Sequence, residues 1–261
     1  MTKPWQITGG VVVEEDAMTR DERGRSVVQR RPLAGIPVQI SARDNEDEPF
    51  EVWGITWTDH DGRFCFRTER RAVGRLVCVS AALIGERLVV GQDMPVRWLD
   101  VLELGIIGGP FVDVGAITFA PGALGVLGEP DNVRRALTWY VARSAMSYLV
   151  ELGPSFAFTQ PIAVRYPVQA ATETSYAYLE AHTAMIHRDD RRDDWSIDRV
   201  LQLVIQLWSN QCVGGRHFWP DANGALRDAS ALNEVQFAEL VAAEMRAILW
   251  KDVVSAVRKA G

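Results

Sequence analysis

The chain has 261 residues, 48% of them hydrophobic, enough to build a sizeable core in one large domain or two small ones. Its net charge of −6 leaves no global field to draw it toward nucleic acid or an anionic membrane. Three cysteines, Cys65, Cys78 and Cys212, lack metal-ligand spacing and fit reduced, packed thiols better than a disulfide framework. No basic n-region and apolar run opens the sequence, and no apolar stretch reaches the roughly 18 residues of a membrane span. The expectation is a soluble cytoplasmic protein.

The first half reads as all-β. ITGGVVVEED (7–16) is a strand candidate, followed by a charged stretch, MTRDERGRSVVQRRP, expected to be a solvated loop. GIPVQISARD (35–44) alternates, with Ile36, Val38 and Ile40 on one face and Gln39 and Ser41 on the other. FEVWGITWT (50–58) and RFCFRTE (63–69) flank DHDG (59–62), a hairpin signal. RLVCVSAAL, ERLVVGQ and VDVGAITFA (112–120) complete some seven strands, the pattern of a β-sandwich over residues 1–120.

Residues 121–133 read as a Gly/Pro-rich linker, and the pattern is helical after it. RRALTWYVARSAMSYLVELG (134–153) sets Leu137, Val141, Ala145, Tyr148 and Leu152 near one face, and Gly153-Pro154 ends the run. PIAVRYP (161–167) alternates as a strand, AYLEAHTAMIHR (177–188) is a candidate for another, and RDDRRDDW is expected to be a solvent-exposed loop. Ser196 caps a helix over about 197–211 with Asp198 in its first turn. Ser230 is positioned to cap a closing helical segment with Leu240, Val241, Ile248, Leu249 and Val253 at core spacing.

Two resemblances follow from these motifs. AGIPVQIS, TDHDGRFCF and VDVGAITFA make the first half resemble the transthyretin-like, or carboxypeptidase-regulatory-like, β-sandwich. The second half, the domain over 134–261, is similar over roughly residues 134–245 to the catalytic domain of zincin-type metallopeptidases: a helix ending ELG, a strand with Val164, Tyr166 and Pro167, then TSYAYLEAHTAMIH, a loop with Asp193, Asp194 and Trp195, and a helix. The implied fold class is α+β, an N-terminal antiparallel β-sandwich plus a C-terminal zincin-like helix/strand domain.

In such peptidases that helix reads V-[IL]-H-E-x-x-H. The resemblance places Gln202 and Gln206 of VLQLVIQ at the two histidines, Leu203 at the catalytic glutamate, and Glu234 at a third ligand. A neutral amide is a poor substitute for the imidazole, thiolate or carboxylate that zinc requires, and leucine accepts no proton. The resemblance therefore implies a pseudo-peptidase with no metal, no cofactor and no catalytic residue. The bland alternative is that both glutamines are amides satisfied at the edge of a core helix.

Zincins bind extended substrate beside the active-site helix, which directs strand addition to the 177–188 region. Ala181, His182, Thr183, Ala184 and Met185 are the peptide-contact candidates, with His217 and Trp208 beside them. The expected function is holding a precursor peptide of a ribosomal natural-product pathway for a partner enzyme, in the manner of the peptide-binding accessory proteins of the crocagin pathway that this description resembles. The alternatives are an acid/base enzyme using Glu234, His217 or His182, and a structural protein.

Other features weigh less. His182 and His187, five apart, make no metal pair on either a strand or a helix. Asp59 and Asp61 open like a calcium loop, but the glycine offset is wrong and turn chemistry is the better account. Nine tryptophans are mostly core; Trp195, Trp208 and Trp219 also suit a role as partner anchors.

Overall fold

The computed structural model describes residues 4–20, 26–70, 72–92, 96–106, 108–152, 157–169, 175–188, 193–212, 218–220, 226–228 and 231–249. The chain is α+β and forms two compact units: Met1–Glu15, Val28–Gly85 and Met94–Leu137 in the first, and Asp16–Val27, Glu86–Asp93 and Thr138–Gly261 in the second. In chain order the strands of the first half are β1 (Trp5–Arg20), β2 (Ser26–Pro32), β3 (Pro37–Arg43), β4 (Glu51–Trp57), β5 (Arg63–Thr68), β6 (Leu76–Ala81), β7 (Leu88–Gly91), β8 (Leu99–Gly105) and β9 (Phe111–Phe119).

Two four-stranded sheets build the first unit. One runs β4-β3-β6-β8, and the other runs β2-β1-β5 with β9 parallel to β1. The period-two patterns decide which faces are buried. Val38 and Ile40 of β3 and Val77 and Val79 of β6 are fully buried, as are Ile7, Val11 and Val13 of β1. In β5, Phe64 and Phe66 point inward while Arg63, Cys65 and Arg67 are exposed.

Four local expectations are corrected. The charged stretch after residue 16 is not a loop throughout: β1 continues to Arg20, and β2 begins at Ser26 and pairs with it. Two of its charges pair across the ribbon, Arg30 with Glu14 and Arg31 with Glu15, each at 3.1 Å. The DHDG turn forms, but β4 and β5 are no hairpin ladder, because β4 pairs with β3 and β5 with β1. Thr58 holds the chain there: its Oγ1 accepts from the Ile36 amide at 3.0 Å and donates to the Leu33 carbonyl at 2.7 Å. The ERLVVGQ strand, β7, lies in the second unit and pairs with a later strand. Finally, β8 was not among the expected strands. Its register against β6 shifts between Val79 and Ser80, and that bulge breaks the alternation of LDVLELG.

The second unit contains most of α1 (Pro130–Leu152), then β10 (Ile162–Val168), β11 (Tyr176–Tyr178), β12 (Thr183–His187), α2 (Ile197–Cys212), the small hairpin β13 (Phe218–Pro220) and β14 (Leu226–Asp228), and α3 (Glu234–Leu249). Helix α1 opens inside the expected linker, because Pro130 suits a first turn where no N–H partner is needed. Ser230 lies outside the described residues. Asn233 is the cap of α3: its Oδ1 accepts from the Gln236 amide at 2.9 Å and Gln236 reaches back to the Asn233 amide at 3.2 Å. Val241 and Met245 are buried on α3, whereas Leu240, expected in the core, is 45% exposed. No helix among the described residues is long and apolar enough to cross a membrane.

Candidate functional site

The sheet of the second unit runs β11-β12-β10-β7, with β10 parallel to both β12 and β7, and β11 antiparallel to β12. Register assigns its two faces. Leu88, Val90, Ile162, Val164, Tyr166, Ala184 and Ile186 share one face, and all are buried to 1% exposure or less. Val89, Ala163, Arg165 and Met185 lie on the other and are partly exposed. Tyr176 and Tyr178 of β11 also belong to that second face, at 41% and 48% exposure. The first face is core, and the second is open at the tyrosines but buried at Thr183 and His187.

Helix α2 packs against β11, β12 and α3. Ser196 caps it as expected, its Oγ accepting from the Arg199 amide at 3.0 Å. Val200, Leu201, Leu203, Val204, Ile205, Leu207 and Trp208 are all at 1% exposure or less, so most of the helix circumference is core. What remains is a narrow, half-buried polar stripe at helical spacing: Arg199, Gln202, Gln206 and Asn210. Arg199 donates to Gln202 Oε1 at 3.3 Å. Asp198, in the first turn, pairs with Arg246 of α3.

The two glutamines therefore sit together on the partly open side of α2, and Leu203 points into the core. Trp208 is fully buried and is a core residue, not the peptide-contact residue expected of it. His217 lies outside the described residues. Glu234 is the first residue of α3, and the described structure extends there to the backbone alone.

The 177–188 segment is not one strand. It is β11, a turn and β12, with Ala181 and His182 in the turn and His182 in the left-handed region at φ 49°. Thr183, Ala184 and Met185 pair with Ala163, Val164 and Arg165 on one side and with Tyr178, Ala177 and Tyr176 on the other. Their main chain has no open edge. The edge on this side is β11, so the tyrosines, not residues 183–185, border it. The sequence signal was the alternation Tyr-Ala-Tyr, which reads as a half-exposed strand once the turn after it is recognised.

The loop before α2 is also more than a solvated run. The Asp194 carboxylate accepts from both the amide and the hydroxyl of Ser175 at 3.0 Å, and Ser175 Oγ accepts from the His187 amide at 2.9 Å. Trp195 Nε1 donates to Thr138 Oγ1 at 2.8 Å, which ties this loop to α1. These bonds fix the entry to β11 and the start of α2 relative to each other. Burial raises the pKa of Tyr148 on α1, and Glu244 and Glu151 add to the effect.

Chemically, the stripe offers amides, which donate and accept hydrogen bonds, and a guanidinium, which only donates; none of them serves as a general base at neutral pH. Among the described residues, the one grouping of three metal-ligating side chains is Asp59, His60 and Asp61. It is exposed, and Asp59 Oδ1 is already used by the turn, accepting from the Asp61 and Arg63 amides at 2.9 Å.

No known family and no curated protein matches the chain. Solved structures with partial likeness include a 9R-lipoxygenase from Cyanothece PCC8801 (15% identity, TM-score 0.27, 58% of this chain and 25% of that one). An (S)-allantoin synthase (13%, 0.26, 46% and 42%) and the plantain pollen allergen Pla l 1 (14%, 0.25, 46% and 100%) are others. The chain spans about a quarter of the lipoxygenase and under half of the synthase. At these TM-scores the likeness carries no argument about function.

Proposed function

We propose that this protein binds an extended peptide by strand addition at the β11 edge, beside α2, and holds it for a partner enzyme without zinc and without cleaving it. The observation that carries this reading is an edge strand, β11, that among the described residues pairs with β12 alone and packs against α2, whose half-buried stripe holds Gln202 and Gln206, the amides that the resemblance sets at the zincin metal positions. An edge strand supplies main-chain donors and acceptors for affinity, and adjacent side chains supply selectivity. Tyr176 and Tyr178 provide large contact area at low entropic cost. A precursor peptide of a ribosomal natural-product pathway is the ligand class that the resemblance to peptidase-like accessory proteins suggests.

Calorimetric titration with such precursor peptides tests the reading. Proline placed singly at 176, 177 and 178 removes one N–H at a time, and successive N–H groups point to opposite sides of a strand. The outward-facing positions should lower affinity about tenfold with little change in Tm, and the inward-facing ones should lower Tm. Stoichiometric zinc in the purified protein, or uniform indifference of binding to all three substitutions, would overturn the proposal.

A further inference from the structure

Arg199 is the third residue of α2, inside the first turn that Ser196 caps. A capping box would hold Glu or Gln there, and the helix dipole disfavours a cation at that end. Helix stability therefore does not account for this arginine.

An ion pair does not account for it either. Arg31, Arg43, Arg75, Arg188 and Arg246 are half-buried, and each faces a carboxylate at 3.8 Å or less. Arg199 is half-buried too. Among the described residues its one side-chain partner is the neutral Gln202 Oε1, at 3.3 Å. The adjacent carboxylate, Asp198, is taken by Arg246.

The rest of the stripe is also short of partners. Gln202 accepts from Arg199 through its oxygen, so its NH2 is the end left to donate. Gln206 and Asn210 are half-buried, and among the described residues their amides bond to no other group. Half-buried amides without a partner in their own chain are served by water or by a ligand. From Arg199 to Asn210 the stripe runs about 16 Å, the span of about five residues of extended chain.

We propose that this stripe is the specificity element of the peptide site and that it selects an acidic peptide. Arg199 takes a carboxylate of the bound strand, on a side chain or at its C-terminus, and the amides of Gln202, Gln206 and Asn210 bond the polar groups that follow it. A guanidinium with no acid of its own chain beside it is the natural partner of a carboxylate, which it holds by charge-assisted, often paired hydrogen bonds. Its half-burial limits the solvent screening that makes exposed ion pairs weak. The inference rests on reading β11, against which α2 packs, as the edge that takes the peptide. Main-chain pairing at an edge is indifferent to sequence, and the stripe supplies the preference that the edge lacks.

Calorimetric titration with synthetic octapeptides of alternating threonine and valine, acetylated and amidated at their ends, tests it. One peptide carries no acid, a set carries a single aspartate or asparagine at each position in turn, and one has a free C-terminal carboxylate. The acid-free peptide reports strand addition alone. Aspartate at the favoured position should bind about tenfold tighter than asparagine there, and aspartate one residue away, on the opposite side of the strand, should not. A gain from the free C-terminus alone supports the proposal with the carboxylate at the peptide's end. Arg199→Gln should erase the gain without lowering Tm or the affinity for the acid-free peptide, and Arg199→Lys should keep part of it. Binding of the acid-free peptide with no gain from any carboxylate, or a gain that survives Arg199→Gln, would overturn this proposal and leave the β11 reading standing. No binding by any of these peptides would overturn both.

Discussion

At the residue scale, a few side chains decide where the backbone turns. Thr58 is 5% exposed and both donates and accepts across the crossing from β4 to β5. Thr58→Val leaves the Ile36 amide and the Leu33 carbonyl without that partner and should cost about 1–3 kcal/mol in urea unfolding, with Thr58→Ser costing less. Gly62 sits at φ 72°, and a Cβ there would lie 2.6 Å from the Val11 carbonyl oxygen, so the turn requires glycine on two counts. Cys78 shows what burial does to a titratable group. Burial pushes its thiol from 9.0 up to about 11, with Asp100 and Glu103 adding to the effect and Ser80 opposing it. The unfolded chain then ionises first, so this thiol's contribution to stability is intact below pH 9.0 and is lost as pH rises toward about 11. Urea midpoints across that window should fall more steeply for the wild type than for Cys78→Ala.

At the element scale, α2 separates core from stripe. Its burial is lopsided: Leu203 is in the core and Gln206 is on the stripe. Leu203→Ala should cost about 2–5 kcal/mol, and Gln206→Ala less than about 0.5 kcal/mol. Leu203→Glu buries a charge in an aliphatic core, and it should abolish cooperative unfolding by circular dichroism. The cap of α3 is a smaller lever; Asn233→Ala should lower stability by about 1 kcal/mol. The element boundaries that sequence reading missed have local causes. Asn233, not Ser230, carries the reciprocal bonds with Gln236, and a turn with His182 at positive φ divides what reads as one strand.

At the scale of the whole molecule, β11 and β4 belong to different compact units. Ile55→Lys, at an exposed site of the first unit, should therefore leave the affinity for a peptide at β11 unchanged in calorimetric titration. The division of the chain also sets β7 apart from the strands that precede it. Its four residues are uniformly apolar, LVVG, and nothing in them selects one sheet over another; pairing with Ile162–Arg165 of β10 does.

The sequence by itself determined the α+β class, the alternating strands of the first half, the Ser196 cap and the amide pair at 202 and 206, because each follows from spacing within a few residues. It also showed that groups of the kind zinc requires are missing from VLQLVIQ. Tertiary structure alone decided which strands end the sheets among the described residues. β11 rather than 183–185 borders the second sheet, and β4 rather than β5 carries exposed apolar residues, Val52, Ile55 and Trp57, since an edge is defined by the strand that fails to pair with it. The same holds for Trp208 and Leu240, whose helical spacing fits core and surface alike until the packed neighbours are in place. Local periodicity fixes which residues share a face; only long-range pairing fixes which face, and which edge, meets water.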